Sequence, residues 1–147
     1  GYAGGSETNP TYKQVSAGKT SHAESVMVFY NPEEVSFENL VAAFFASHDP
    51  TTLNRQGPDA GTQYRSIAFY STENEKAIIE KAISELAASK KYTTPIVTEV
   101  KKIEKFWNAE DYHQNYVEHN PGNPYVQSVS IPRFERFKRN FDLSLLR

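Results

Sequence analysis

The stretch HDPTTLNRQGPDAGTQYRS, His48 to Ser66, decides how the rest of the chain is read. Leu53 is its only large apolar residue. On one side lies a strongly helical pattern, on the other a strand-like one. A connection of this length is either functional or disordered. Disorder fits poorly, because Asp49, Arg55, Asp59, Tyr64 and Arg65 are specific polar and aromatic groups. Gly57 and Gly61 permit backbone angles that other residues avoid, and Pro50 and Pro58 fix others. The stretch reads as a shaped loop presenting Asp59 and Tyr64 to a pocket.

Upstream of the loop, Ser36 caps a helix running to about Ser47. Phe37, Leu40, Val41, Phe44 and Phe45 recur at the spacing of one buried helical face. Before it, HAESVMVFY (22–30) reads as a strand. Both of its faces are apolar at the far end, which predicts a central place in a sheet. Residues 1–21 are rich in Gly, Ser, Thr and Asn and read as an extended loop.

Downstream, YRSIAFY (64–70) predicts a second strand. Thr72 and Glu75 have capping-box spacing for a helix that buries Ile79, Ala82, Ile83, Leu86 and Ala87. A third strand is expected from Ile96 to about Lys101. A short helix from about Ala109 to His119 would set Tyr112 and Tyr116 one turn apart. Pro132 can begin a last helix with Phe134, Phe137 and Phe141 on one stripe. Alternating helices and strands favour an α/β, two-layer arrangement, and 147 residues suffice for a single domain over 1–147.

The bulk composition excludes several classes. A net charge of -2 gives no basic footprint for nucleic acid or a membrane surface. No apolar run is long enough to span a bilayer. There is no cysteine, which removes disulfides, thiolate metal sites and a cysteine nucleophile from these residues. The histidines at 22, 48, 113 and 119 form no HExxH motif, and no GxGxxG, Walker or GxSxG pattern is present. No bound cofactor or metal is expected.

Four residues remain as polar groups at the ends of apolar elements: Tyr12, Glu24, Asp59 and Tyr64. A carboxyl group brought among apolar neighbours holds its proton to higher pH and can donate it to an oxygen. Two tyrosine hydroxyls aimed at that oxygen would stabilise charge developing there. Each residue also has a plainer reading. Glu24 can be a solvated strand-end carboxylate, Asp59 a turn residue, and the tyrosines packing residues with satisfied hydroxyls.

The runs GYAGG (1–5), NPTY (9–12), HAE (22–24), the 48–66 loop and AEDYHQNY (109–116) resemble, in order and spacing, the A-type peptide methionine sulfoxide reductases. The resemblance covers about residues 1 to 120 and is looser from Pro121 onward. It implies a mixed-sheet, two-layer α+β sandwich with a ferredoxin-like core and long ordered loops. It also implies reduction of the S epimer of methionine sulfoxide, free or in proteins: protein repair under oxidative stress. A cysteine thiolate attacks the sulfoxide sulfur, methionine leaves, and the resulting sulfenic acid is reduced by thiols. Glu24 matches the family's acid, Tyr12 and Tyr64 the phenols that bind the oxygen, and Asp59 the carboxylate that orders the polar side.

In the family, a GCFWG-like motif carrying the nucleophile precedes GYAGG. The expectation is therefore an N-terminally incomplete enzyme, without its first strand and helix, lacking one wall of the pocket and inactive alone. Ser16 stands where some members have a second cysteine, so an external thiol would clear the sulfenic acid. A thioredoxin- or glutaredoxin-type reductase, or dithiothreitol in vitro, is the implied reductant. Partners are the oxidised protein or free methionine sulfoxide and that thiol reductase, with neither nucleic acid nor membrane. A monomer in the cytoplasm is expected. Two rivals stand beside this: a non-catalytic binder of methionine sulfoxide or methionyl peptides, and a carboxylate-pair hydrolase using Glu24 and Asp59.

Overall fold

The computed structural model describes residues 1–147. Its apolar centre is built where two helices meet a parallel strand pair. Helix α2 (Phe37–Ser47) starts at Ser36, whose hydroxyl accepts from the Asn39 N–H at 3.1 Å. Helix α3 (Glu73–Ala88) starts with a reciprocal capping box between Thr72 and Glu75. Both starts follow from side-chain oxygens satisfying N–H groups that the first helical turn leaves unpaired. Val41 and Phe45 of α2 meet Ile79 of α3 and Ala68 of a strand beneath, and all four are buried.

That strand, β5 (Ile67–Tyr70), pairs in parallel with β6 (Glu99–Lys102), in the register Ile67 to Glu99 through Tyr70 to Lys102. A parallel pair needs a crossover, and α3 supplies it. Two short antiparallel ladders lie elsewhere in the chain. Strand β1 (Tyr2–Ala3) lies between β2 (Ala23–Glu24) and β7 (Phe106–Trp107). Strands β3 (Arg55–Gln56) and β4 (Asp59–Ala60) form a tight hairpin inside the long loop. The turn of that hairpin uses Gly57 at φ +58°, a backbone angle that favours glycine. The class is mixed α+β, with parallel and antiparallel pairing. No helix is long and apolar enough to cross a membrane.

Several expected elements change. The strand expected over 22–30 is confined to Ala23–Glu24. Next to this ladder, Gly1 exchanges two backbone hydrogen bonds with Ser25 at 2.8 Å. Beyond that point Val26 to Tyr30 have no ladder partner, and Val26 and Phe29 are 88% and 86% exposed. An apolar run on both faces does not make a strand unless its backbone groups pair with a neighbouring strand.

The 1–21 segment is more ordered than its composition suggests. It contains β1 and helix α1 (Tyr12–Ser16), whose N-cap Thr11 forms a capping box with Gln14. The helix expected over 109–119 is broken in two. A 3₁₀ turn at Asp111–His113 and helix α4 (Tyr116–His119) are separated by Asn115 at φ +54°. The last helix, α5 (Ile131–Asn140), carries Pro132 in its first turn as expected. It continues directly from a π-helical turn at Val126–Ser130.

Candidate functional site

Three elements bring the sequence-derived residues together. Tyr12 is the first residue of α1. Glu24 ends β2, opposite Tyr2 in the ladder. Tyr64 ends a 3₁₀ turn (Thr62–Tyr64) that packs against β2. Buried Gln63 ties this turn to α1, donating from its amide to the Ser16 carbonyl at 2.9 Å.

Tyr12 and Glu24 line an open cleft of about 260 Å³, together with Tyr2, His113 and Gln114. Asp59 and Tyr64 stand outside the lining of that cleft but within reach of its charge. Burial raises the Tyr64 pKa, and the negative charges of Glu24 and then Asp59 raise it further. Tyr12 is likewise raised, by burial first and then by Glu24. Both phenols therefore keep their protons at neutral pH and can donate hydrogen bonds.

Glu24 differs from the enclosed carboxyl that the sequence suggested. It sits at the cleft mouth with solvent access. Its pKa is nevertheless raised. Desolvation by the surrounding protein is the main cause and Asp59 adds to it, while the terminal ammonium of Gly1 opposes both. An accessible carboxyl with raised pKa can take a proton from solvent and pass it to a ligand oxygen.

Asp59 is engaged rather than free. Its carboxylate accepts from the Tyr125 hydroxyl, and the Arg133 guanidinium lies 3.9 Å away. Burial first, then this hydrogen bond and the Asp59 charge, push Tyr125 up to about 12. The C-terminal segment is thus fastened over the hairpin tip.

Sequence reasoning singled out neither Tyr125 nor three further residues of the site. Tyr2 is buried, and its hydroxyl donates to Glu110 Oε2 at 2.8 Å. Glu110 Oε1 accepts from the Tyr12 backbone N–H at 2.8 Å. The His113 ring lies 4.1 Å from the Tyr12 ring, and its Nε2 is buried without a hydrogen-bond partner. The run AEDYHQNY contains two of these residues, and GYAGG contains Tyr2. Spacing alone does not show which of their side chains reach across the molecule.

The sequence profile described as "Peptide methionine sulfoxide reductase" matches residues 1–144. The chain belongs to this family. It is 48% identical to "Peptide methionine sulfoxide reductase MsrA" of Haloquadratum walsbyi, over 96% of this chain and 80% of that protein. It is 50% identical to the protein of the same description from Nautilia profundicola, over 93% of this chain and 78% of that one. Among solved structures, reduced Mxr1 from Saccharomyces cerevisiae superposes with a TM-score of 0.78 at 40% identity, covering 84% of this chain and 70% of that one. Methionine sulfoxide reductase A of Corynebacterium diphtheriae gives 0.73 at 37% identity, covering 84% and 63%. These relatives place the chain among the A-type members. The peptide methionine sulfoxide reductase family thus supplies the frame for the Tyr12, Glu24, Tyr64 and Asp59 neighbourhood.

Proposed function

We propose that this chain carries the oxygen-side machinery for reducing methionine-S-sulfoxide, free or in proteins, to methionine. Glu24 is the acid that gives a proton to the departing sulfoxide oxygen. Tyr12 and Tyr64 donate hydrogen bonds to the same oxygen as negative charge grows on it. Asp59, held by Tyr125, keeps the hairpin beside them in place.

A thiolate forms a bond to the sulfoxide sulfur while the S–O bond breaks, and the oxygen, having taken up two protons, leaves as water. Water then attacks the thiol-derived sulfur and breaks the new S–S bond. Methionine is released with its sulfur reduced by two electrons, and the attacking sulfur, oxidised by two electrons, is left as a sulfenic acid. A dithiol then returns it to the thiol and is itself oxidised to a disulfide, releasing water. These 147 residues contain no cysteine, so the attacking thiol comes from outside them. No prosthetic group is needed. The required reductant is a thioredoxin- or glutaredoxin-type dithiol, or dithiothreitol in vitro.

The supporting observation is that Tyr12 and Glu24 share one cleft, with Tyr64 in the field of Glu24. Titrating the chain with N-acetyl-methionine-S-sulfoxide tests it. Wild-type protein should bind the S epimer in preference to the R epimer. Combined Tyr12→Phe and Tyr64→Phe should reduce S-epimer affinity roughly tenfold or more, about 1 kcal/mol for each lost hydrogen bond. Equal binding of the two epimers, or no effect of the double substitution, would contradict the assignment.

A further inference from the structure

Tyr12 has to hold its hydroxyl steady from an unpromising place. Helix α1 has only five residues, and Tyr12 is 36% exposed. Its backbone N–H lies at the start of the helix, where no intrahelical acceptor exists. Burial and nearby negative groups act on its phenol, and no hydrogen bond from the protein does.

Glu110 addresses this from 98 residues away. Its two carboxylate oxygens are divided between two donors. Oε1 takes the Tyr12 N–H at 2.8 Å, and Oε2 takes the Tyr2 hydroxyl at 2.8 Å. Tyr2 is only 2% exposed and sits in the middle strand of its ladder, so it is a rigid anchor. Three residues further along, His113 lays its ring against the Tyr12 ring at 4.1 Å. Tyr12 is therefore held at its backbone by Glu110 and along its ring by His113.

We propose that Glu110 is a positioning residue for Tyr12. It bridges the β1 anchor Tyr2 to the first residue of α1, so that the Tyr12 hydroxyl meets a sulfoxide oxygen in the cleft. Glu110 touches neither ligand nor reacting atoms. It acts only through Tyr12, and the proposal rests on the sulfoxide-binding role of the cleft.

The bridge makes a specific demand on chemistry. Both partners of Glu110 donate, so the bridging group must accept twice, or accept from Tyr12 while donating to Tyr2. A glutamine meets the second condition: its oxygen accepts from the Tyr12 N–H, and its amide donates to the Tyr2 oxygen. Alanine meets neither. Aspartate keeps the charge but is one methylene too short to reach both.

The experiment compares binding of N-acetyl-methionine-S-sulfoxide with binding of the corresponding sulfide, N-acetyl-methionine, to the intact chain. The sulfoxide-over-sulfide ratio cancels general loosening of the fold. Glu110→Ala should lower that ratio roughly three- to tenfold, the scale of one hydrogen bond to a neutral group. Glu110→Gln should restore it. In a Tyr12→Phe background, Glu110→Ala should change the ratio no further, because there is no hydroxyl left to aim. If Glu110→Ala does not fold, Glu110→Asp should show the same loss and the same dependence on Tyr12.

A wild-type chain with no sulfoxide preference would overturn the sulfoxide role of the cleft, and this proposal with it. A wild-type preference that Glu110→Ala or Glu110→Asp leaves intact would overturn the proposal alone. So would a loss of equal size in the Tyr12→Phe background, or a failure of Glu110→Gln to restore the ratio.

Discussion

His48 and Ser66, the first and last residues of the long loop, are hydrogen bonded to each other: His48 Nε2 lies 2.6 Å from Ser66 Oγ. The other ring nitrogen, Nδ1, is 2.8 Å from the Phe44 carbonyl, which can only accept. Nδ1 therefore carries the proton, and Nε2 accepts from Ser66. The Ser66 oxygen is then left to accept from Thr98, 2.8 Å away on the approach to β6. A neutral histidine thus staples the loop closed, and this closure is what presents Asp59 and Tyr64 near β2.

Acid should open that staple. Burial lowers the His48 pKa below its ordinary value. The unfolded chain then takes up a proton before the folded one does. The contribution is fully present above the ordinary histidine pKa and is lost as pH falls from there through the lowered folded value. Urea unfolding at pH 7 and at pH 5 should show a decline in wild type that is smaller in His48→Gln. An identical pH dependence in the two proteins would contradict the neutral staple.

Tyr125 behaves oppositely, at the alkaline end. Its folded pKa of about 12 lies above the ordinary phenol value. Its contribution to stability is present below about pH 10 and is lost as pH rises toward the folded value. Absorbance titration at alkaline pH should find one phenol fewer ionising late in Tyr125→Phe than in wild type. The substitution should cost about 1 kcal/mol in urea, a reduced value because both partners reach solvent.

The core makes a firmer demand. Ile79 is 1% exposed at the meeting of α2, α3 and β5. Ile79→Ala should cost about 3 kcal/mol, combining lost burial and the cavity left behind. Thr72→Ala, which removes only the capping hydroxyl of α3, should cost about 1 kcal/mol. Chemical denaturation that ranked these two in the reverse order would show that α3 is held by its cap rather than by its buried face.

Much of the fold was readable because its signals are local. Ser36 and the Thr72/Glu75 box start α2 and α3 where their spacing said, and Ile79, Ala82, Ile83 and Leu86 of α3 face the core as expected, whereas Ala87 is exposed. Of the four residues read from element ends, Tyr12 and Glu24 line one cleft, while Asp59 and Tyr64 lie outside its lining. What was hidden depends on partners distant in sequence. Val26 to Tyr30 are apolar like a buried strand, yet they join no ladder. Helix α1 had a legible Thr11/Gln14 box, masked by glycine- and serine-rich surroundings. The break at Asn115 needs a left-handed residue, and asparagine permits that angle without demanding it. Glu110, His113 and Tyr125 matter through contacts that sequence spacing does not report.

The proton on Glu24 is the centre of the proposed mechanism, and its titration is the most direct measurement. The side-chain carboxyl carbon of Glu24, followed by NMR across pH 3 to 8 (roughly the range over which carboxylates titrate), should report a pKa above the ordinary 4.5. Adding N-acetyl-methionine-S-sulfoxide should raise it further, because the protonated acid donates to the bound oxygen. A pKa at or below 4.5, or one that the sulfoxide leaves unmoved, would contradict the role of Glu24 as the acid of this site.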